Sequence, residues 1–336
     1  RARRRRAARC AAAAPRPPEP SCGPYAELTV PEIQPTFTVR VPGASLTLTP
    51  GRPALMGIVN ANPDSFSDSV RLTALDQQVD HALALVADGA SIIDVGGESG
   101  VTYTGVTAEQ TEIDRVVPLV ERLAAEGIIV SVDTWKPAVA EAVIAAGAAI
   151  LNDVSGLRDE RLAQICARTG AALVVMHTRA VPKQEHFHDY GGAVADDVEA
   201  FLAERCAVAV AAGVHEEQLI LDPGPDFAKT PAETVQSLHA IETVNALRRP
   251  VLHAVSRKYF VGAITAQPPA ERGAGTLAAV GWSADHGASI VRVHDVRAAA
   301  DFLAVKRVLD GHDTMPHFDA DDDRLKWIRA APQRAS

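Results

Sequence analysis

With 336 residues, 47% of them hydrophobic, the chain can bury one large core; a mean hydropathy near zero and no apolar run of about 18 residues exclude a membrane-spanning helix. The net charge of −9 is unevenly spread. Residues 1–23 hold seven arginines (Arg1, Arg3, Arg4, Arg5, Arg6, Arg9 and Arg16), and discounting them leaves about −16, too acidic to favour a nucleic-acid partner. Four cysteines (Cys10, Cys22, Cys166 and Cys206) show no metal or redox spacing, so reduced, inert thiols and a cytoplasmic setting are expected.

In chain order, residues 1–27 are rich in Arg, Ala and Pro and are expected to be a disordered extension. Such an arm also fits organelle targeting, but Ala11–Ala14 is too short an apolar segment for a signal peptide. Three short β runs follow, at 28–30, 37–41 and 46–48, and are expected to close the lower mouth of what comes next.

From there the chain repeats one design eight times. Apolar runs of strand length occupy 54–60, 91–96, 128–133, 148–153, 172–177, 219–223, 250–256 and 289–295, and most end in polar residues. Amphipathic Ala/Leu/Val-rich segments lie between them, among them Leu75 to Asp88, Glu109 to Glu126, Pro137 to Ala146 and Asp196 to Ala212. Several stop at a Gly just beyond the last turn, as in Asp88-Gly89 and Ala212-Gly213. Eight alternations of strand and helix predict an α/β fold, a (β/α)8 TIM barrel over residues 28–312. An open doubly wound sheet would need a Gly-rich turn after its first strand, and Asn60-Ala61-Asn62-Pro63 is not one. Residues 313–336 form an acidic tail, Asp319 to Asp323, with Leu325-Lys326-Trp327-Ile328 as a short helix.

In such a barrel the polar strand ends converge on one mouth. Asp94, Asp133, Asn152, Asp222 and Lys258 suit a flat heterocycle rich in N–H donors: carboxylates accept from an amino-imine edge, and the amide and amine serve the other. Arg292 and His294, two residues apart on a strand, point the same way and make a cationic corner for phosphate. Asn60 offers an oxygen to Mg²⁺, which binds substrate phosphate while keeping most of its waters. A heterocycle beside a metal-bound pyrophosphate implies a leaving group, hence group transfer. Asp153 and Asp295 are read instead as helix caps, His177 as either a satisfied core histidine or a site residue, and Asp64 as a turn residue.

These residues lie in motifs that resemble the dihydropteroate synthase family over roughly 52–310. The motifs are Asn60-Ala61-Asn62-Pro63-Asp64-Ser65-Phe66-Ser67-Asp68, Asp94 to Ser99, Ser131 to Thr134 and Asn152 to Gly156. Asp222-Pro223-Gly224 with Phe227 and Lys229, Ser256-Arg257-Lys258 and Arg292 to Val296 complete the set. The resemblance implies a transferase joining a pterin methyl pyrophosphate to the amine of p-aminobenzoate, working as a homodimer with Mg²⁺. It implies that Asp94, Asp133, Asn152, Asp222, Phe227 and Lys258 line the pterin and that Asn60, Arg292 and His294 hold pyrophosphate, Asn60 through the metal. Phe66, Ser256 and Tyr259 fall on the acceptor side, and Asp68, Asp133 and Lys258 are implied as catalytic.

The departures from the family pattern cluster on the acceptor side. Gly100-Val101-Thr102-Tyr103 stands for Thr-Arg-Pro-Gly, and Tyr259 for a Ser. Ser69-Val70 stands for Gly-Gly, and Pro225-Asp226 for a Gly-containing pair. Two other readings therefore stand beside the synthase: a paralogue that binds pterin but uses another acceptor or is not catalytic, and a pterin-dependent methyltransferase, which needs no pyrophosphate corner.

Overall fold

A computed structural model describes residues 36–61, 68–98, 105–184 and 186–316, with the backbone alone for 68–73. It opens with a hairpin, β1 (Phe37–Val41) and β2 (Ala44–Leu48), paired antiparallel with Phe37 opposite Leu48. The barrel follows as β3 (Ala54–Asn60), α1 (Asp68–Ala87), β4 (Ala90–Gly96), α2 (Glu109–Ala125), β5 (Val130–Asp133) and α3 (Pro137–Ala145). Then come β6 (Ile150–Asp153), α4 (Arg161–Thr169), β7 (Ala172–Met176), α5 (Val194–Ala211) and β8 (Leu219–Asp222). The last stretch is α6 (Pro231–His239), α7 (Ile241–Asn245), β9 (Leu252–His253), α8 (Tyr259–Thr265), α9 (Gly273–Asp285), β10 (Ile290–Val293) and α10 (Val296–Leu309).

Eight parallel strands run in the order β8-β7-β6-β5-β4-β3-β10-β9. The ring closes through a bridge between Leu221 and Val251, where the Leu221 amide donates to the Pro250 carbonyl at 2.9 Å. The predicted (β/α)8 barrel is the observed fold.

Alternation along each strand sorts the side chains. Val95, Val132, Leu151, Val175, Leu221 and Val293 face outward into two clusters shared with the helices. On α2, Val116, Leu119, Val120 and Leu123 make the matching stripe, and all four are buried. Facing inward, Met56, Ile92, Ile150, Ala172, Val174, Ile220, Leu252 and Ile290 fill the lower barrel. Val39, Val41, Leu46 and Leu48 of the hairpin join this inner cluster, so the hairpin closes the lower end as expected.

Some boundaries differ from the sequence reading. Helix α1 begins at Asp68, not Leu75, and the strand expected over 250–256 pairs with β10 only at Leu252 and His253, and with β8 through the single bridge at Val251. Pro250 has no N–H for a ladder, and the chain turns away at Ser256 towards α8. Asp295 caps α10, accepting from the Ala298 amide at 3.0 Å. Asp153 caps a turn instead of a helix: its oxygens accept from the amides of Ser155 and Leu157. No helix among the described residues is long and apolar enough to cross a membrane. The run at 28–30, the extension, Cys10, Cys22, Asp64, Phe66, Gly100 to Tyr103 and most of the acidic tail lie outside the described residues, as do the side chains of Asp68, Ser69 and Val70.

Candidate active site

Higher in the barrel the inward positions turn polar: Asp94 above Ile92, Asn152 above Ile150, Asp222 above Ile220 and Arg292 above Ile290. Asp94 is the hub. Its carboxylate accepts from the Ser131 hydroxyl at 2.6 Å, from Arg292 Nε at 2.7 Å, and from Asn152 Nδ2 at 3.3 Å to each oxygen. It has no exposed surface, enclosed by Ser131, Asn152 and Arg292. Because the Asn152 NH₂ is committed to Asp94, its amide carbonyl is the group left to face a ligand.

Asp222 is almost fully buried, and its Oδ1 accepts from the Gly224 amide at 2.7 Å. Burial pushes its carboxyl up to about 6, against the pull of the Gly224 N–H, Lys258, Lys229 and Arg292. Asp133, partly exposed at the mouth, is pushed up to about 7 by burial, opposed by Arg292 and reinforced by Asp94. Lys258 places its ammonium 4.4 Å from the centre of the Phe227 ring. Burial depresses its pKa, with Asp226 and Asp222 pulling the other way.

The corner formed by Arg292 and His294 differs from expectation in its charge. The two do share a face, but Arg292 is engaged with two carboxylates, Asp94 at 2.7 Å and Asp133 at 3.6 Å. Burial and the nearby Arg257, Arg292 and Lys258 push His294 down to about 4, so it is neutral at pH 7. Its Nδ1 lies 2.9 Å from the Ser256 hydroxyl. The permanent charge on this pair therefore rests on Arg292. Asn60 is exposed at the end of β3, and Tyr259 is 57% exposed as the first residue of α8.

Lys229 and His177, which the sequence left without a settled role, brace the site from behind. Lys229, buried to 1% exposure, donates to the carbonyl of Gly224 at 2.9 Å and of Phe227 at 3.3 Å, and to His177 Nδ1 at 2.7 Å. Burial lowers the Lys229 pKa to about 7, against the pull of Asp222. His177 is held neutral by burial and by Lys229, at about 3, so its Nε2–H donates to Asp197 at 2.9 Å. His177 thus faces helix α5 and not the mouth. Gly224 has φ +63, and a Cβ there would fall 2.0 Å from the His177 carbonyl oxygen, so only glycine fits.

A second brace holds the start of the loop after β4. Lys136 donates to Glu98 at 2.7 Å, to the buried Glu112 at 2.6 Å and to the Thr107 carbonyl at 2.7 Å. At Gly97, a Cβ would meet Val116 at 2.6 Å. Asp222, Asn152 and Lys258 together offer two acceptors and a donor around one buried face, the complement of an amino-imine heterocycle with a carbonyl.

A profile described as "Pterin binding enzyme" matches residues 56–294, more than half of the chain. The dihydropteroate synthase of Bacillus subtilis is 41% identical over 248 residues, covering 73% of this chain and 85% of its own length. The chain belongs to the dihydropteroate synthase family. Membership places it among transferases. Solved structures agree: a Xanthomonas albilineans dihydropteroate synthase with 4-aminobenzoic acid superposes with a TM-score of 0.74 at 38% identity, covering 83% of this chain and 100% of that one. The same enzyme in complex with 7,8-dihydropteroate gives a TM-score of 0.71, also at 38% identity, covering 82% and 100%.

Binding to this family member should depend on pH in one direction. A ligand that needs the Asp222 carboxylate ionised loses affinity about tenfold per unit once the pH falls below about 6, where that carboxyl takes up its proton. Calorimetric titration of a pterin that does not itself titrate between pH 5 and 8 checks this; a flat profile would remove Asp222 from the contact.

Proposed function

We propose that this chain condenses 6-hydroxymethyl-7,8-dihydropterin pyrophosphate with p-aminobenzoate, giving 7,8-dihydropteroate and pyrophosphate, a step of folate biosynthesis. The observation that carries the reading is the buried Asp222 carboxylate, with one oxygen committed to the Gly224 amide and the other left to pair with a ligand. Opposite it, the Asn152 carbonyl and Lys258 take the remaining edge, and Phe227 lies against the ring face. Charge-assisted pairing of this kind is both strong and selective.

The chemistry follows an SN1-like course. The C–O bond to pyrophosphate breaks with its electron pair leaving on oxygen, and Arg292 offsets the growing negative charge. His294, neutral and held by Ser256, serves as an uncharged hydrogen-bonding partner on the same side. The cation left on the pterin methylene is spread over its ring and steadied by the Asp133 carboxylate, with Asp68 as a second candidate. The arylamine then attacks with its lone pair and releases a proton. No Ser, Cys or His nucleophile takes part.

Mg²⁺ fits this mouth through Asn60, an exposed oxygen ligand at a strand end, since the ion needs few protein oxygens beside a substrate phosphate. When bound it would neutralise charge on the departing pyrophosphate. Beside Asn60, substrate phosphate oxygens and water would complete its shell. We also propose a cytoplasmic homodimer, in keeping with the free thiols of Cys166 and Cys206; sedimentation would report the mass.

Tyr259, Phe66 and Ser256 are assigned to the acceptor side. The exposed phenol at the start of α8 supports a weakened acceptor pocket, so Tyr259→Ser with Thr-Arg-Pro-Gly at 100–103 should lower the acceptor KM severalfold and leave pterin affinity unchanged. Steady-state kinetics with sulfonamide inhibition checks it. Ordinary acceptor affinity in the unmodified protein would make these departures neutral. The proposal as a whole is tested by pyrophosphate release that requires both substrates. Release with the pterin alone, or none with both, would contradict it.

A further inference from the structure

Asp226 stands in a strained loop and makes contacts out of proportion to a turn residue. Its φ is +67, in the left-handed region, and Gly224 and Ala228 beside it are at +63 and +54. Its carboxylate accepts from the amides of Tyr259 and Phe260, the latter at 3.3 Å, and from the Thr234 hydroxyl at 3.2 Å. Its own amide donates to Thr234 Oγ1 at 3.0 Å. One side chain therefore ties the loop after β8 to α6 and to the first turn of α8.

The residue next to that turn is Lys258. Its backbone is gripped from the other side: Arg272 donates to the carbonyls of Arg257 at 2.9 Å and Lys258 at 3.1 Å, and the Arg257 amide donates to Thr276 at 3.0 Å. Arg257 also has a left-handed φ, +57. Among the described residues, Asp226 supplies the only side-chain hydrogen bonds between the Phe227 loop and the Lys258 turn, whose ring and ammonium meet at 4.4 Å.

We propose that Asp226 is a positioning residue for the pterin pocket: by joining the two loops it sets Lys258 over Phe227 and in the field of Asp222. This rests on the pterin reading of the site. It also accounts for a non-glycine residue at a left-handed position, where the carboxylate contacts compensate for the backbone conformation.

The test compares wild type with Asp226→Gly, which relieves the backbone and removes the tie, and Asp226→Asn, which keeps one acceptor oxygen. Arg272 and Thr276 still hold the turn in both, so the ligand-free thermal midpoint should stay within a few degrees. Amide exchange at Tyr259 and Phe260 should accelerate at least tenfold in Asp226→Gly, pterin Kd should rise about tenfold, and Asp226→Asn should recover part of both. In turnover the pterin KM should rise while the acceptor KM holds. Faster exchange with unchanged pterin affinity would overturn the proposal, as would unchanged exchange. A wild-type protein that protects both amides yet binds no pterin would sink the pterin reading and leave the tie standing.

Discussion

Asp222→Asn is expected to abolish measurable pterin binding while the barrel stays folded. The native carboxylate accepts from the Gly224 amide with one oxygen and keeps the other for a ligand N–H. An amide can preserve the first bond but turns an NH₂ towards the ligand's own donor, so an attraction becomes a clash of two donors. Losing a buried charged partner costs about 2–5 kcal/mol, which is roughly thirtyfold in affinity at the low end and over a thousandfold at the high end. The fold should tolerate the change, because burial already disfavours the charged carboxylate, whose pKa it raises to about 6. Calorimetric titration alongside thermal unfolding reads both. Unchanged affinity would remove Asp222 from the contact, and loss of folding would make it a structural residue.

Arg292→Ala is expected to act twice. Its guanidinium donates to Asp94, which has no exposed surface, and lies near Asp133. Removing it leaves a buried carboxylate held only by Ser131 and Asn152, and breaking a buried pair from one side costs about 3–5 kcal/mol. Unfolding should therefore occur at a clearly lower temperature, and adding Asp94→Asn should restore part of the loss. Separately, the pyrophosphorylated substrate should lose more affinity than the bare pterin, since only the former needs charge in that corner. Thermal melts of the two single variants and the double variant, with both ligands titrated, separate the effects. A thermally neutral Arg292→Ala would show that Asp94 does not depend on it, and equal losses for both ligands would deny the guanidinium a role with the leaving group.

The barrel was legible because its signals are local. Strands buried on both faces read as apolar runs, helices carry their own stripe, and the polar strand ends mark one mouth. What stayed hidden depends on partners far apart in sequence. Lys229 enters the sequence reading only as part of a motif, with no role; its burial follows from His177, 52 residues earlier, and from carbonyls that meet its ammonium only in the folded loop. Asp94 reads as a ligand residue because it ends an apolar strand, yet Ser131, Asn152 and Arg292 enclose it from three other strands. Asp226 stands out in the sequence only as a departure from the family pattern, and its carboxylate is taken up 33 residues later by Tyr259. The charge of His294 was equally illegible, since Arg257, Arg292 and Lys258 suppress it together with burial.

The central claim is that this mouth joins a pterin methyl group to an arylamine. Mass-spectrometric detection of product from isotope-labelled p-aminobenzoate and dihydropterin pyrophosphate tests it most directly. The expected result is labelled 7,8-dihydropteroate formed in equal amount with pyrophosphate, and none from Asp222→Asn. Tight pterin binding with no coupled product would contradict it.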